Sequence, residues 1–142
     1  MSRITRDIMQ ISRCSNQFRS DYLAPYGLKS CHAGYLTTIH HHPGLSQDKL
    51  ARMICFDKSN VARQVAFLEE NGFLVRTPSE EDKRMMQLYL TPKEESLIPV
   101  IEEMYSQWSS RLTQDLTEAE FEQLADLIGR LKRRAAEWME AR

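Results

Sequence analysis

GLSQDKLARM at residues 44–53, DKSNVARQVAFLEENGFLV at 57–75 and RTPSEEDKRMMQLYLT at 76–91 are three consecutive pieces of one pattern. In the first, Ser46 precedes an apolar group made of Leu50, Ala51, Met53 and Ile54. A serine there can accept from a free first-turn amide, so the piece predicts a short capped helix with those four residues inside. In the second, Asp57 offers the same kind of cap. Val61, Val65 and Leu68 recur at helical spacing behind it. Stepping by about 100° per residue puts Ser59 and Arg63 opposite that stripe, with Asn60 and Gln64 beside them. Gly72 falls just past the helix, where a left-handed residue is wanted. In the third piece, residues 73–77 form a short strand. Met86, Leu88 and Leu90 then alternate with Gln87, Tyr89 and Thr91, the period of a half-buried strand. The link between the strands, residues 78–84, is polar and charged. Helix, turn, helix and hairpin in this order make a helix-turn-helix followed by a wing, a shape that fits the major groove of DNA and the backbone beside it.

Working outward, residues 3–23 carry Ile4, Ile8, Ile11, Phe18 and Tyr22 on one face and predict a long first helix ended by Pro25 and Gly27. Ser30 is the expected cap of a second helix reaching about His41. Tyr35, Leu36 and Ile39 form its buried side, and Pro43-Gly44 stops it. After the hairpin, Thr91-Pro92-Lys93-Glu94 reads as a capping box with proline at the first helical position. The helix it opens contains Pro99, so a kink or irregular first turns are expected. Thr117 to Glu120 is a second capping box. Phe121, Leu124, Ile128, Leu131, Ala135 and Trp138 stripe the final helix. The fold class is therefore mainly α with a small β-hairpin wing: a winged helix-turn-helix flanked by long terminal helices. Residues 1–29 and 92–142 form a helical dimerisation region around a DNA-binding region, 30–91. Three long striped helices exceed what one small winged unit covers, which predicts a two-fold homodimer.

The chain has 142 residues and a formal net charge of −1. That balance argues against a protein that coats nucleic acid nonspecifically. Between Arg52 and Arg84 the cations and the acids are equal in number, six of each. Affinity for DNA must then come from where the cations sit, not from bulk charge. No apolar run approaches the ~20 residues needed to span a bilayer, and no secretory leader opens the sequence. A cytoplasmic protein is expected. Cys14, Cys31 and Cys55 are well separated and odd in number, the pattern of neither a disulfide framework nor a zinc knuckle.

HPGLSQDKLAR, DKSNVARQVAFLEENGFLVR and EEDKRMMQLYLTPKEE together resemble the MarR family, the bacterial winged helix-turn-helix regulators named for multiple antibiotic resistance. The similarity covers nearly the whole chain. Its strongest motif is the wing, where the family's Asp-x-Arg is Asp82-Lys83-Arg84, followed by Leu88, Leu90 and Thr91. The resemblance implies a dimeric regulator, usually a repressor, bound to double-stranded DNA at a pseudo-palindromic operator and released by a small ligand or by thiol oxidation. By position, the major-groove contacts would be Lys58, Ser59, Asn60, Arg63 and Gln64. Arg84 would enter the minor groove, Asp82 would orient it, and Lys83 would lie alongside. The chemistry suits these roles. Arginine pairs bidentately with guanine, and asparagine or glutamine with adenine. An arginine in a narrow minor groove responds to electrostatic potential. Lysine and serine on phosphates position the protein without specifying sequence.

Each of these residues has a plainer reading. Residues 58–64 can be a solvated helix face, and Asp82–Arg84 an exposed ion pair closing a hairpin, worth ~0–1 kcal/mol. Phe18, Tyr22, Tyr35, Met104 and Trp108 would line the pocket in which family members hold small aromatic acids, or they are simply core. Peroxide-sensing members place a reactive cysteine in the first helix. Cys14 stands about one residue out of that register, and it and Cys31 are the candidate redox thiols; a buried cysteine is otherwise a small apolar filler. His40, His41 and His42 splay over about 200° on a helix and cannot all face one ion. Members that bind zinc use histidines of the fifth helix, where residues 92–114 have none. No metal and no cofactor are expected. A nucleophile elbow, a glycine-rich phosphate loop and a flanking acid pair are all missing from the sequence, which argues against an enzyme. The competing class is a winged-helix module that binds protein and not DNA.

Overall fold

The computed structural model describes residues 2–54 and 57–141. It falls into two compact units, Met1–Tyr105 and Ser106–Arg142. The first holds α1 (Arg3–Leu23), a 3-10 turn (Ala24–Tyr26), α2 (His32–His41), α3 (Gln47–Ile54), α4 (Lys58–Glu70), β1 (Leu74–Pro78), β2 (Met86–Leu90), a second 3-10 turn (Glu94–Ser96) and the start of α5 (Leu97–Leu112). The second holds the end of α5 and α6 (Glu118–Ala141). Mostly helix with one antiparallel hairpin, this is the expected fold class. The third cysteine, Cys55, lies outside the described residues.

The helix starts follow from their caps. Ser46 Oγ accepts from the Lys49 amide at 3.1 Å, and Asp57 Oδ1 accepts from the Asn60 amide at 2.8 Å. Thr117 and Glu120 exchange both bonds of a capping box, at 3.0 and 3.1 Å. Gly72 takes φ +80°, so the chain reverses after α4 without the steric cost that a Cβ would bring. Ser30 does not cap α2. Its hydroxyl donates to Asn16 Oδ1, the helix begins at His32, and the His32 ring itself accepts the Lys29 amide. The capping box at Thr91 is half made: the Glu94 amide donates to Thr91 Oγ1 at 3.3 Å, while the Thr91 amide turns to Phe73 O. A 3-10 turn follows, and α5 starts only at Leu97. Pro99 thereby falls in the first turn, where no helical donor is needed, and the irregular opening expected from it is present.

One core fills the first unit. Leu36 and Ile39 of α2, Leu50 of α3, Val61, Val65 and Leu68 of α4, Leu74 and Leu88 of the hairpin, and Ile101 and Met104 of α5 are all essentially inaccessible. Side chains of this size contribute ~1.5–3 kcal/mol each when buried. Met53, expected inside, is 42% exposed, and Ile54 is only partly buried. α3 is too short to bury more than the Leu50–Ala51 edge.

The strands pair Leu74 with Leu90 through Pro78 with Met86. A third segment joins them. The Gly44 amide donates to Leu88 O at 2.8 Å, the Leu88 amide donates to Leu45 O at 3.0 Å, and Ser46 bridges Gln87. The wing is thus tied to the residues that start α3. In the second unit, α6 buries none of its side chains within the chain, and Phe121, Leu124, Ile128 and Leu131 all stand exposed along it. No described helix is long and apolar enough to cross a membrane.

Candidate nucleic-acid interface

α4 is amphipathic in the sense the sequence predicts. With Val61, Val65 and Leu68 buried, Lys58, Ser59, Ala62 and Arg63 face solvent, and Asn60 and Gln64 lie at the margins. The outer face is organised by short-range contacts. The Arg63 guanidinium donates to Asn60 Oδ1 at 3.4 Å, which aims it along the helix. Lys58 Nζ sits 3.7 Å from Asp48 Oδ2 of α3 in an exposed pair. Such a pair contributes little to stability and leaves the ammonium within reach of a stronger anion.

Gln64 differs from its neighbours. Its carbonyl accepts from His32 Nε2 at 2.8 Å, so the side chain turns back toward α2. The His32 ring is wholly buried and stacks on Phe67, with centroids 4.9 Å apart and planes 10° apart. Burial holds its pKa below the ordinary histidine value, the nearby Lys29 charge pushes the same way, and the Gln64 bond opposes both. Burial also pushes the Tyr35 phenol up to about 12, with smaller contributions from Cys31 and Asp57.

The wing carries the second group. Asp82 Oδ1 accepts from the Arg84 amide at 3.0 Å and from its Nε at 3.2 Å. Ser79 Oγ accepts from the Glu81 and Asp82 amides and closes the tip. Asp82 therefore fixes the backbone of Arg84 as well as its guanidinium, whose side chain is 92% exposed. Lys83 is exposed beside it. At the base of the wing an open cavity of about 220 Å³ is lined by Ser46, Gln47, Asp48, Arg76, Arg84, Met85 and Met86. Arg76 donates to Glu69 Oε1 from Nε and Nη2, at 3.2 and 2.8 Å. This couples the end of α4 to β1 and, through that hydrogen bond, holds the Glu69 carboxyl below its usual range.

Tyr35 and Met104 are closed into the core, while Phe18 and Tyr22 pack against it partly exposed, with rings 5.7 Å apart. Trp108 lies in the second unit. Cys14 is exposed on α1. Cys31 is half-buried, and its burial raises the thiol pKa, against the local charges of Lys29 and Arg19. The rings of His40 and His41 meet edge to face at 5.1 Å, and no group of three metal-ligating side chains is assembled among the described residues. Sequence reasoning passed over His32, the buried partner of Gln64, and Ala62, exposed on the outer face of α4. An exposed alanine between Ser59 and Arg63 can be read from helical periodicity. A buried histidine on another helix cannot.

A capped helix with a polar outer face, a short helix behind it, and a hairpin wing that extends an arginine define a winged helix-turn-helix protein. Residues 32–86 match the MarR family profile. The chain is 28% identical over 133 residues to the uncharacterized HTH-type transcriptional regulator YybA of Bacillus subtilis (strain 168), covering 94% of this chain and 89% of that one. It superposes on the crystal structure of MarR with a TM-score of 0.86 at 30% identity, over 100% of this chain and 99% of that one. On a Listeria monocytogenes regulator assigned to the MarR family and solved with a 26mer DNA, the TM-score is 0.90 at 26% identity, over 96% and 91% of the two chains. The chain belongs to the MarR family of transcriptional regulators; it is a regulator and not an enzyme.

Proposed function

We propose that two copies of this chain pair and bind a pseudo-palindromic operator in double-stranded DNA, acting as a cytoplasmic repressor. Each copy lays α4 in the major groove and reaches the adjacent minor groove with Arg84. The observation that carries the reading is the division of α4 between an apolar face sealed in the core and an outer face presenting Lys58, Ser59 and Arg63, beside a wing that extends Arg84. The MarR-family regulator solved with DNA supports it. Residues 30–91 are the DNA-binding region, and residues 1–29 and 92–142 pair the copies. Support for pairing comes from Ile4, Ile8 and Ile11 of α1 and from Phe121, Leu124, Ile128 and Leu131 of α6, apolar side chains of 43–63% exposure. A small aromatic ligand beside Phe18 and Tyr22 is the proposed release signal. Oxidation of Cys31 has less support, because its raised pKa keeps the thiolate scarce.

Salt titration of binding to genomic DNA fragments is the test. A dimeric reader loses affinity steeply and linearly on a log–log plot as salt rises. Arg63→Ala should weaken the selected site by ~1–3 kcal/mol per half-site and relax one base position in each. Absence of any affinity at low salt, or indifference to both Arg63→Ala and Arg84→Ala, would leave a protein-binding module as the function. A strictly monomeric protein in sedimentation would remove the paired arrangement.

A further inference from the structure

We propose that Gln64 is an anchor of the recognition helix and not a reader of bases, and that His32 is the positioning residue that holds it. The inference rests on the DNA-binding reading of α4 and changes which of its residues carry specificity.

The argument begins at the start of α2. Lys29 N–H can only donate, and it points at His32 Nδ1 at 2.9 Å. That nitrogen must therefore carry its lone pair, and the proton of the neutral ring sits on Nε2. Nε2–H then donates, so the Gln64 atom facing it at 2.8 Å is the carbonyl oxygen and not the amide nitrogen. The orientation of the Gln64 amide is fixed by this chain of donors and acceptors. Recognition of adenine by glutamine needs both halves of the amide, the carbonyl accepting from N6 and the NH₂ donating to N7. With its carbonyl drawn back to a buried ring, Gln64 lacks the accepting half.

The same ring touches α4 a second time. Phe67, three residues along and on the same helical edge, stacks face to face on His32, and Lys29 Nζ lies 5.6 Å from the centroid of Phe67. Contacts at two positions of one edge fix the rotation of a helix about its axis, where a smooth apolar stripe alone would let it roll. Rotation decides where the adjoining outer face points, and Ser59 and Arg63 stand on that face. His32 thus acts on DNA recognition through α4 without touching DNA, and base choice falls to the other residues of the outer face, Arg63 and Asn60 first.

The test uses the full-length protein, with Gln64→Ala and Gln64→Met beside the wild type and Arg63→Ala. Methionine keeps the length of the side chain and loses the acceptor, so the fold survives if alanine proves too small. Base preference is read from a randomised operator pool, affinity by titration, and the His32 ring by nitrogen-resolved NMR. Both Gln64 variants should bind every sequence more weakly by a similar factor, about three- to ten-fold, as expected for one lost hydrogen bond. Their base preferences should match the wild type. The slowly exchanging His32 Nε2–H resonance of the wild type should vanish in both. Loss of preference at one base position per half-site in the Gln64 variants overturns the proposal, as does unchanged affinity or a retained Nε2–H resonance. If the wild type binds no DNA, or Arg63→Ala is silent, the reading of α4 itself fails and the proposal falls with it. Those results are distinct from a Gln64 effect in a protein that binds.

Discussion

Acid should destabilise this fold through His32. Its ring is inaccessible to water, Nδ1 accepts the Lys29 amide at 2.9 Å, and Nε2 donates to Gln64 at 2.8 Å. A second proton has to go on Nδ1, where it would face another donor and break the contact that starts α2. Burial accordingly holds the pKa below the ordinary 6.5. The unfolded chain takes up that proton as pH falls through 6.5, while the folded chain does so only at lower pH. Across the interval the unfolded state binds more protons, so stability declines with falling pH, by at most ~1.4 kcal/mol per pH unit for one group. The loss is absent above about pH 7.5 and levels off below the folded pKa. Glu69 and Glu120, both held low by hydrogen bonds, respond only below 4.5 and stay out of this window. Urea unfolding in half-unit steps from pH 7.5 to 5.0 measures the effect, with wild type compared to His32→Gln at one fixed protein concentration, since pairing of copies makes stability concentration-dependent. Wild type should lose more stability than the variant between pH 6.5 and 5.0, by no more than ~1.4 kcal/mol per pH unit. Parallel curves, or a wild type that gains on the variant in acid, would refute the buried neutral ring and its tautomer.

Three further outcomes follow from named contacts. Asp57→Ala removes the acceptor of the Asn60 amide and should cost ~1 kcal/mol in urea unfolding, with Asp57→Ser restoring most of it. Gly44→Ala should cost ~1–2 kcal/mol, because φ is +87° there and a Cβ would meet Tyr89 Oη at 3.0 Å; equal stability would deny the close approach of this loop to the wing. Cys31, with its thiol pKa raised by burial, should alkylate slowly at neutral pH and still accelerate above pH 9.0, as mass spectrometry of iodoacetamide time courses can follow.

Local rules made most of the architecture legible. Caps at Ser46, Asp57 and Thr117, the stripe of Val61, Val65 and Leu68, and the left-handed Gly72 all depend on neighbours a few residues away, and the structure realises each. What escaped were side chains whose partners are distant in sequence. Ser30 has the right type for a cap, but Asn16 of α1 takes its hydroxyl and no side chain caps α2. The half-made box at Thr91 has the same cause, since the Thr91 amide is claimed by Phe73. Met53 follows the helical period yet stays exposed, because a helix of eight residues offers the core only one edge. On α4, periodicity places Gln64 beside Arg63, and only the buried ring 32 residues earlier turns it inward. The outer face was therefore legible as a face, but not residue by residue.

The contacts around the wing constrain how regulation can work. Arg76 binds Glu69 at the end of α4, Thr91 Oγ1 donates to Gly72 O, and the Gly44–Leu45 loop pairs with Leu88 on β2. His32 holds the middle of α4 against α2. Helix and wing are fastened to each other along β1 and at the base of the hairpin, and α4 is fastened to α2 behind, so changing the angle between them would break several hydrogen bonds together, at ~0.5–1.5 kcal/mol each. Changing the distance between two such heads would break none of them. A signal that alters operator affinity is thus expected to act on the separation of paired copies, which must match one DNA turn of about 34 Å, and to leave the internal geometry of each head as it stands. Hydrogen exchange with and without an effector decides between the two: protection of the Leu88 and Asn60 amides should hold constant, and their loss on effector binding would mean that the head itself deforms.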